Sequence, residues 1–316
     1  MKRYDHLYLS PHFDDAILSC GGQIARHTAA GQSVLVVTIT GGDPPDNPPS
    51  DTVAMLHRRW AASMAAVPGP VHSDGRWPAS PRGADSASRA QTSAASSAIS
   101  SAAASSAASS AIAVGAAMIA QRRAEDRAAL ALVGAEPLHL SFLDCIYRCG
   151  PDAHALYPGP ADMFSPLSPA DEATVAALAE SFAALPPARQ VYLPLGVGGH
   201  VDHLATRRAA ERVFTAPIYY EDYPYTARPG ALAEALPPEV RAVWLATAVW
   251  LDEAALAAKT AAVGAYVSQL SSFFVDAADL AAQLRADGRR ALSDALAGGE
   301  TAPPWAVAAE RLWSAA

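Results

Sequence analysis

The first forty residues of the chain restrict it to a small set of folds. His6–Ser10 (HLYLS) reads as a short buried strand, and Asp14–Ala30 as a turn and helix closed by Gly31. Ser33–Thr40 (SVLVVTIT) is rich in β-branched residues and reads as a second buried strand. Strand, helix and strand at this spacing make a βαβ unit, and such a crossover lays its two strands parallel in one sheet.

The alternation continues downstream. A helical pattern (QRRAEDRAALALVGAE) starts at Gln121 and is followed by a strand at Pro137–Phe142 and a helix at Ala170–Leu185. Gln190–Leu195 (QVYLPL) reads as a strand broken by Gly196–Gly199, then come a helix at Asp202–Phe214 and a strand at Pro217–Glu221. Ala242–Leu251 reads as a strand by its length, Glu253–Phe274 as a helix, and Trp305–Trp313 as a closing helix. The expected fold is α/β, with a Rossmann-like, mostly parallel sheet and helices on both faces. One domain is expected over residues 1–316, because 51% hydrophobic residues suffice to bury a sizeable core.

One stretch breaks the pattern. Gly41–Asp51 is loop-like and residues 52–60 are helical in character. The chain is then Pro/Gly-rich to about Gly83 and almost entirely Ala and Ser to about Ala117. A membrane span is not expected there, since Ala and Ser supply too little hydrophobicity. Ala favours a marginal helix, but the lack of large side chains favours a flexible low-complexity insertion at about 61–120.

The 23 Lys and Arg against 31 Asp and Glu give a net charge of −8, which argues against a nucleic-acid partner. Cys20, Cys145 and Cys149 are odd in number and lack a framework spacing, so no disulfide set is expected. Cys145 and Cys149 have no second close pair to complete a metal site and read as ordinary small residues near a strand end. Met1–Asp5 is short and polar and carries no signal-peptide pattern, which suggests a cytoplasmic protein.

Open α/β sheets carry their sites in loops at the carboxyl ends of strands. Two clusters fall there. Pro11-His12-Phe13-Asp14-Asp15 follows the first strand, and its His12 and Asp15, three apart, can face one point while Asp14 lies beside them. His200-Val201-Asp202-His203 follows the strand at 190–195 with the same spacing of its histidines. If those strands are neighbours, the clusters meet as a two-His, one-carboxylate site with open positions, which describes a catalytic metal.

These residues resemble the LmbE-like, or PIG-L, N-deacetylases. His12-Phe13-Asp14-Asp15 is similar to their His-Pro-Asp-Asp signature, with Phe13 in place of Pro, and His200-Val201-Asp202-His203 to their second signature. Softer similarities are Arg122-Arg123-Ala124-Glu125-Asp126 with Leu132-Val133-Gly134-Ala135, Asp144, Tyr219–Pro224, Lys259 with Tyr266–Gln269, and Glu310-Arg311-Leu312-Trp313. The resemblance covers the chain apart from roughly residues 61–120, where family members are shorter.

The resemblance implies zinc held by His12, Asp15 and His203, with ferrous iron an alternative occupant of the same donors. It implies removal of an N-acyl group, acetyl foremost, from a small-molecule amino sugar or N-acetylglucosaminyl conjugate. Asp14 suits a general base, protonated His200 an oxyanion stabiliser or acid, and Asp202 the orientation of a neighbouring histidine. Arg123 and Asp144 resemble sugar-contacting positions, although a solvated helix face with internal ion pairs accounts equally for Arg123. Glu221, Asp222 and Tyr225 are candidates to line the pocket or, equally, to cap a loop.

Two other readings use the same residues. A two-His, one-carboxylate site also suits a non-haem iron oxygenase, though the extra carboxylate Asp14 favours hydrolysis. The other is a non-catalytic sugar-binding relative. Dinucleotide binding and serine hydrolysis are excluded, since neither a phosphate-binding Gly fingerprint nor a Gly-x-Ser-x-Gly elbow is present.

Overall fold

β1 (Tyr4–Ser10) and β2 (Val34–Thr38) pair in parallel, joined by helix α1 (Asp15–Ala29), as the opening residues require. The computed structural model describes residues 2–45, 50, 52, 53, 55–57 and 101–315. Its seven-stranded sheet runs β3-β2-β1-β4-β5-β7-β6. In it β3 is Glu136–His139, β4 Ala188–Pro194, β5 Ile218–Tyr220, β6 Trp244–Leu251 and β7 Ala308–Ala315. The first five strands pair in parallel, while β7 is antiparallel to both β5 and β6.

The continuous apolar runs are explained by two covered faces. Tyr8 and Val36 pack on one side under α1 and the long helix α2 (Ser101–Leu132). Leu7, Leu9, Leu35 and Val37 pack on the other, under α3 (Glu172–Ala183) and α4 (Val201–Ala210). Helices α5 (Glu253–Val263) and α6 (Val267–Phe273) lie on the α1 side, and α7 (Ala277–Ala297) packs on β6 and β7.

The strand order creates the site. β1 has β2 on one side and β4 on the other, so the chain reverses its direction of travel across the sheet at β1. The loops after β1 and β4 diverge there and leave a crevice, the usual ligand position in open α/β sheets.

Three expectations need correction. The segment Trp305–Trp313 is not a helix: residues from Ala308 onward form β7, paired with β6 over eight positions from Ala308 to Ala315. Its Ala-rich composition favours helix, but Ala309 and Trp313 are buried on one face and Ala308 and Leu312 on the other, so pairing decides. The proposed flexible insertion does not extend to residue 120, because α2 is helical from Ser101, where Ala propensity prevails. Residues 61–100 lie outside the described residues, as do 54 and 58–60 of the 52–60 segment, of which 52, 53 and 55–57 are helical. The helix expected at Glu253–Phe274 is interrupted after Val263. There the Glu125 carboxylate accepts the N–H and hydroxyl of Ser268 and so starts α6 afresh, while Tyr266 donates to Asp126 at 2.7 Å.

Candidate metal centre and active-site cleft

The turn after β1 is tied down by bonds between the Ser10 and Asp15 side chains and its backbone. The Ser10 hydroxyl donates to the His12 carbonyl at 2.6 Å and accepts from Ala16 N–H, and His12 N–H donates to Asp15 Oδ2 at 2.7 Å. Asp14 caps α1 by position, yet its side chain makes no capping bond and lines the cleft instead. After β4, Gly196, Gly198 and Gly199 all take positive φ. An added Cβ on Gly198 would lie 2.5 Å from Tyr225 Cγ, so this loop can pass under the Tyr225 ring only as glycine. The turn delivers His200 to the N-cap of α4, where its Nδ1 accepts Asp202 N–H at 3.3 Å.

The two loops meet at Asp15. Its Oδ2 lies 3.1 Å from His12 Nδ1 and 3.2 Å from His203 Nε2. The other nitrogen of each ring has a carboxylate partner: His203 Nδ1 and Asp222 Oδ1 are 2.7 Å apart, and His12 Nε2 and Asp202 Oδ2 are 3.0 Å apart. Carboxylates accept, so both outer nitrogens carry hydrogen. His203 Nε2 is buried with no hydrogen-bond partner of its own. A ring lone pair and a carboxylate oxygen at 3.2 Å need positive charge between them. In the metal-free chain a proton serves: burial opposes it, but Asp15 and Asp222 outweigh burial and lift His203 to about 9. Burial likewise works to raise Asp15, and His203 and His12 override it and hold the carboxyl well below its usual range.

Other groupings share these residues. Among the described residues, donor atoms of His12, His200 and His203, of His12, Asp144 and Asp202, and of Cys145, His200 and Asp202 lie within 4.8 Å of one another. The third is the weakest, because burial pushes the Cys145 thiol well above its ordinary pKa and keeps it a poor ligand. Asp15 joins both loops through a single oxygen, which favours His12, Asp15 and His203.

Asp14 and His200 flank this centre. Burial, and then the neighbouring Asp15 charge, raise the Asp14 carboxyl, with Arg122 at 3.7 Å partly offsetting them. Burial, reinforced by His12, pushes His200 down to about 3. Its ring is therefore neutral, with Nδ1 accepting and the hydrogen on Nε2. This differs from the protonated form expected from sequence.

A cleft of about 230 Å³ opens over these groups. Its polar side carries His12, Asp14, Asp15, Arg122, Asp144 and His200, and its other side is largely apolar, with Leu18, Ile146, Met163, Tyr225 and Phe273. Asp144 and Tyr225 thus lie at the cleft. Asp222 is behind it, bonded to His203 and to the N–H groups of Gly196 and Val197. Glu221 faces away and accepts Trp313 Nε1–H at 3.0 Å. Arg123 is bonded to the Gly41 carbonyl and Asp43, outside the cleft. Arg122 occupies the cleft instead, over the Phe13 ring.

The helix phase could have separated the two arginines. Asp126, Ala129 and Val133 are buried at helical spacing, which puts Arg122 on the inner face and Arg123 off it. Arg148, buried against Asp202 and Asp171, carried no comparable signal.

Comparison with known proteins gives a consistent picture. The family model described as PIG-L: GlcNAc-PI de-N-acetylase matches residues 7–214, a span that holds the loops after β1 and β4. The zinc inhibited form of teicoplanin deacetylase Orf2 is similar in fold, at 24% identity and a TM-score of 0.66, with 100% of this chain and 98% of that chain covered. The A40926 pseudoaglycone deacetylase Dbv21 is similar at 25% identity and a TM-score of 0.60, covering 99% and 97%. No curated protein matches the chain.

Proposed function

The chain belongs to the PIG-L, GlcNAc-PI de-N-acetylase, family, and from that membership we propose that it is a metal-dependent hydrolase removing an N-acyl group, acetyl foremost, from an amino sugar or N-acetylglucosaminyl conjugate. The observation that carries the proposal is the buried His203 Nε2, which has no hydrogen-bond partner and faces Asp15 beside His12 Nδ1. Two imidazole nitrogens and one carboxylate oxygen suit zinc, and ferrous iron nearly as well.

When bound by His12, Asp15 and His203, such an ion lowers the pKa of water and polarises an amide carbonyl. The remaining work falls to the chain. Asp14, raised by burial and by Asp15, takes the proton of the attacking water. His200, neutral, donates its Nε2–H to the oxygen of the tetrahedral centre. The proton held on Asp14 is available to the departing amine. Asp222 and Asp202 hold the rings of His203 and His12. Arg122 and Asp144 offer a donor and an acceptor to sugar hydroxyls, and the apolar wall at Met163, Tyr225 and Phe273 receives the less polar part of the substrate.

Asp14 beside the donor set favours hydrolysis over an iron oxygenase, which needs no such base. The test is metal content together with amine release from a panel of N-acetylglucosamine conjugates, with and without chelator. About one zinc per chain and chelator-sensitive amine release are expected. Oxygen consumption with an oxoacid in place of amine release would overturn the assignment. Among the described residues no helix is long and apolar enough to cross a membrane.

A further inference from the structure

Arg148 touches neither the proposed donors nor the cleft, yet it governs one of them. It lies four residues past Asp144, with its side chain 7% exposed. Nε and Nη2 donate to Asp171 Oδ2 at 3.0 and 2.7 Å, and Nη1 donates to Asp202 Oδ1 and, at 3.3 Å, to the Leu143 carbonyl. Asp171 is fixed in turn by the Tyr157 hydroxyl at 2.9 Å. The guanidinium is thus clamped between two buried carboxylates.

We infer that Arg148 is a positioning residue for the metal centre, fixing through Asp202 which nitrogen of His12 is left to bind the ion. The inference rests on the metal-site reading above. With Oδ1 of Asp202 held by Arg148, Oδ2 is aimed at Cys145 N–H (3.1 Å) and at His12 Nε2 (3.0 Å). A carboxylate accepts only, so the His12 hydrogen is placed on Nε2 and the lone pair on Nδ1. Nδ1 is the nitrogen turned toward Asp15 Oδ2, where His203 Nε2 also points. The planar fork of Arg148 reaches Asp171 and Asp202 at once, a fixed geometry that a lysine ammonium does not reproduce.

Arg148→Lys keeps the charge and loses the fork; Arg148→Gln loses both. Zinc affinity is measured by competition with a chromophoric chelator on folded protein, alongside the visible spectrum of the cobalt-substituted form and the metal-free Tm. The inference expects zinc affinity to fall on the order of 10- to 100-fold, with an altered cobalt spectrum. Asp171→Asn, which loosens the guanidinium without removing it, gives the same reading if the Arg148 variants do not fold. A purely structural role would lower only the metal-free Tm, so folded variants with parental zinc affinity and cobalt spectrum overturn the inference. A parent that takes up no zinc would instead overturn the metal-site reading itself.

Discussion

His203 Nδ1 donates to Asp222 Oδ1 across 2.7 Å with both side chains buried, while the other Asp222 oxygen accepts Gly196 and Val197 N–H at 2.8 Å each. One carboxylate thus binds the loop after β5 to the loop after β4 and orients a proposed metal ligand between them.

Asp222→Asn is therefore expected to weaken zinc binding by about 10- to 100-fold, because its amide cannot satisfy both the ring and the two backbone donors. Chelator competition on the purified variant checks this. Affinity equal to the parent would remove Asp222 from the centre.

Asp14→Asn is expected to retain zinc and to lose about 10²- to 10⁴-fold in kcat, the usual share of a general base. Metal analysis and turnover on the same preparation separate the two effects. Near-parental kcat would sink the assignment of Asp14 as base.

A third expectation concerns the far end of β1. His6 and His27 stack with ring centroids 3.5 Å apart, and both bond the Gln32 side-chain oxygen. Burial, and then the His6 charge, push His27 down to about 4. The unfolded chain therefore takes up a proton near pH 6.5 that the folded chain does not accept until about 4. Stability falls as pH drops through that window and levels off below it. His27→Gln should flatten the fall in Tm between those limits; a parallel pair of curves would show that the stack does not contribute.

Gly198→Ala places a left-handed alanine under the Tyr225 ring. The backbone costs about 1–2 kcal/mol, and overpacking adds about 1–3 kcal/mol. A lower Tm and a lower kcat/KM are expected together, since Tyr225 walls the cleft. Unchanged kcat/KM would mean that substrate does not use that wall.

The parts legible in the sequence were those with a local cause. β1, β2 and β4 announced themselves by apolar runs between turn residues, and the strand-end positions of His12 and His203 followed from them. β7 was not legible, because AAERLWSA is covered on both faces and shows no period of two. Helix α7 was missed although Leu280, Leu284, Ala291 and Ala295 mark its buried face behind an Asp276 cap. Asp202 was expected to orient a histidine, but only the fold shows that His12 at 3.0 Å, not His200 at 4.0 Å, is its ring partner. Arg148 contributes through contacts 23 and 54 residues away, which no local pattern encodes.

The sheet order has a consequence for synthesis. β6 touches the other strands only through β7, which is made more than fifty residues later. On the ribosome the parallel half can assemble with the loops after β1 and β4 already facing each other, while β6 waits with both edges open. The nascent chain is therefore most exposed to wrong strand pairing in the interval before β7 emerges and slots between β5 and β6.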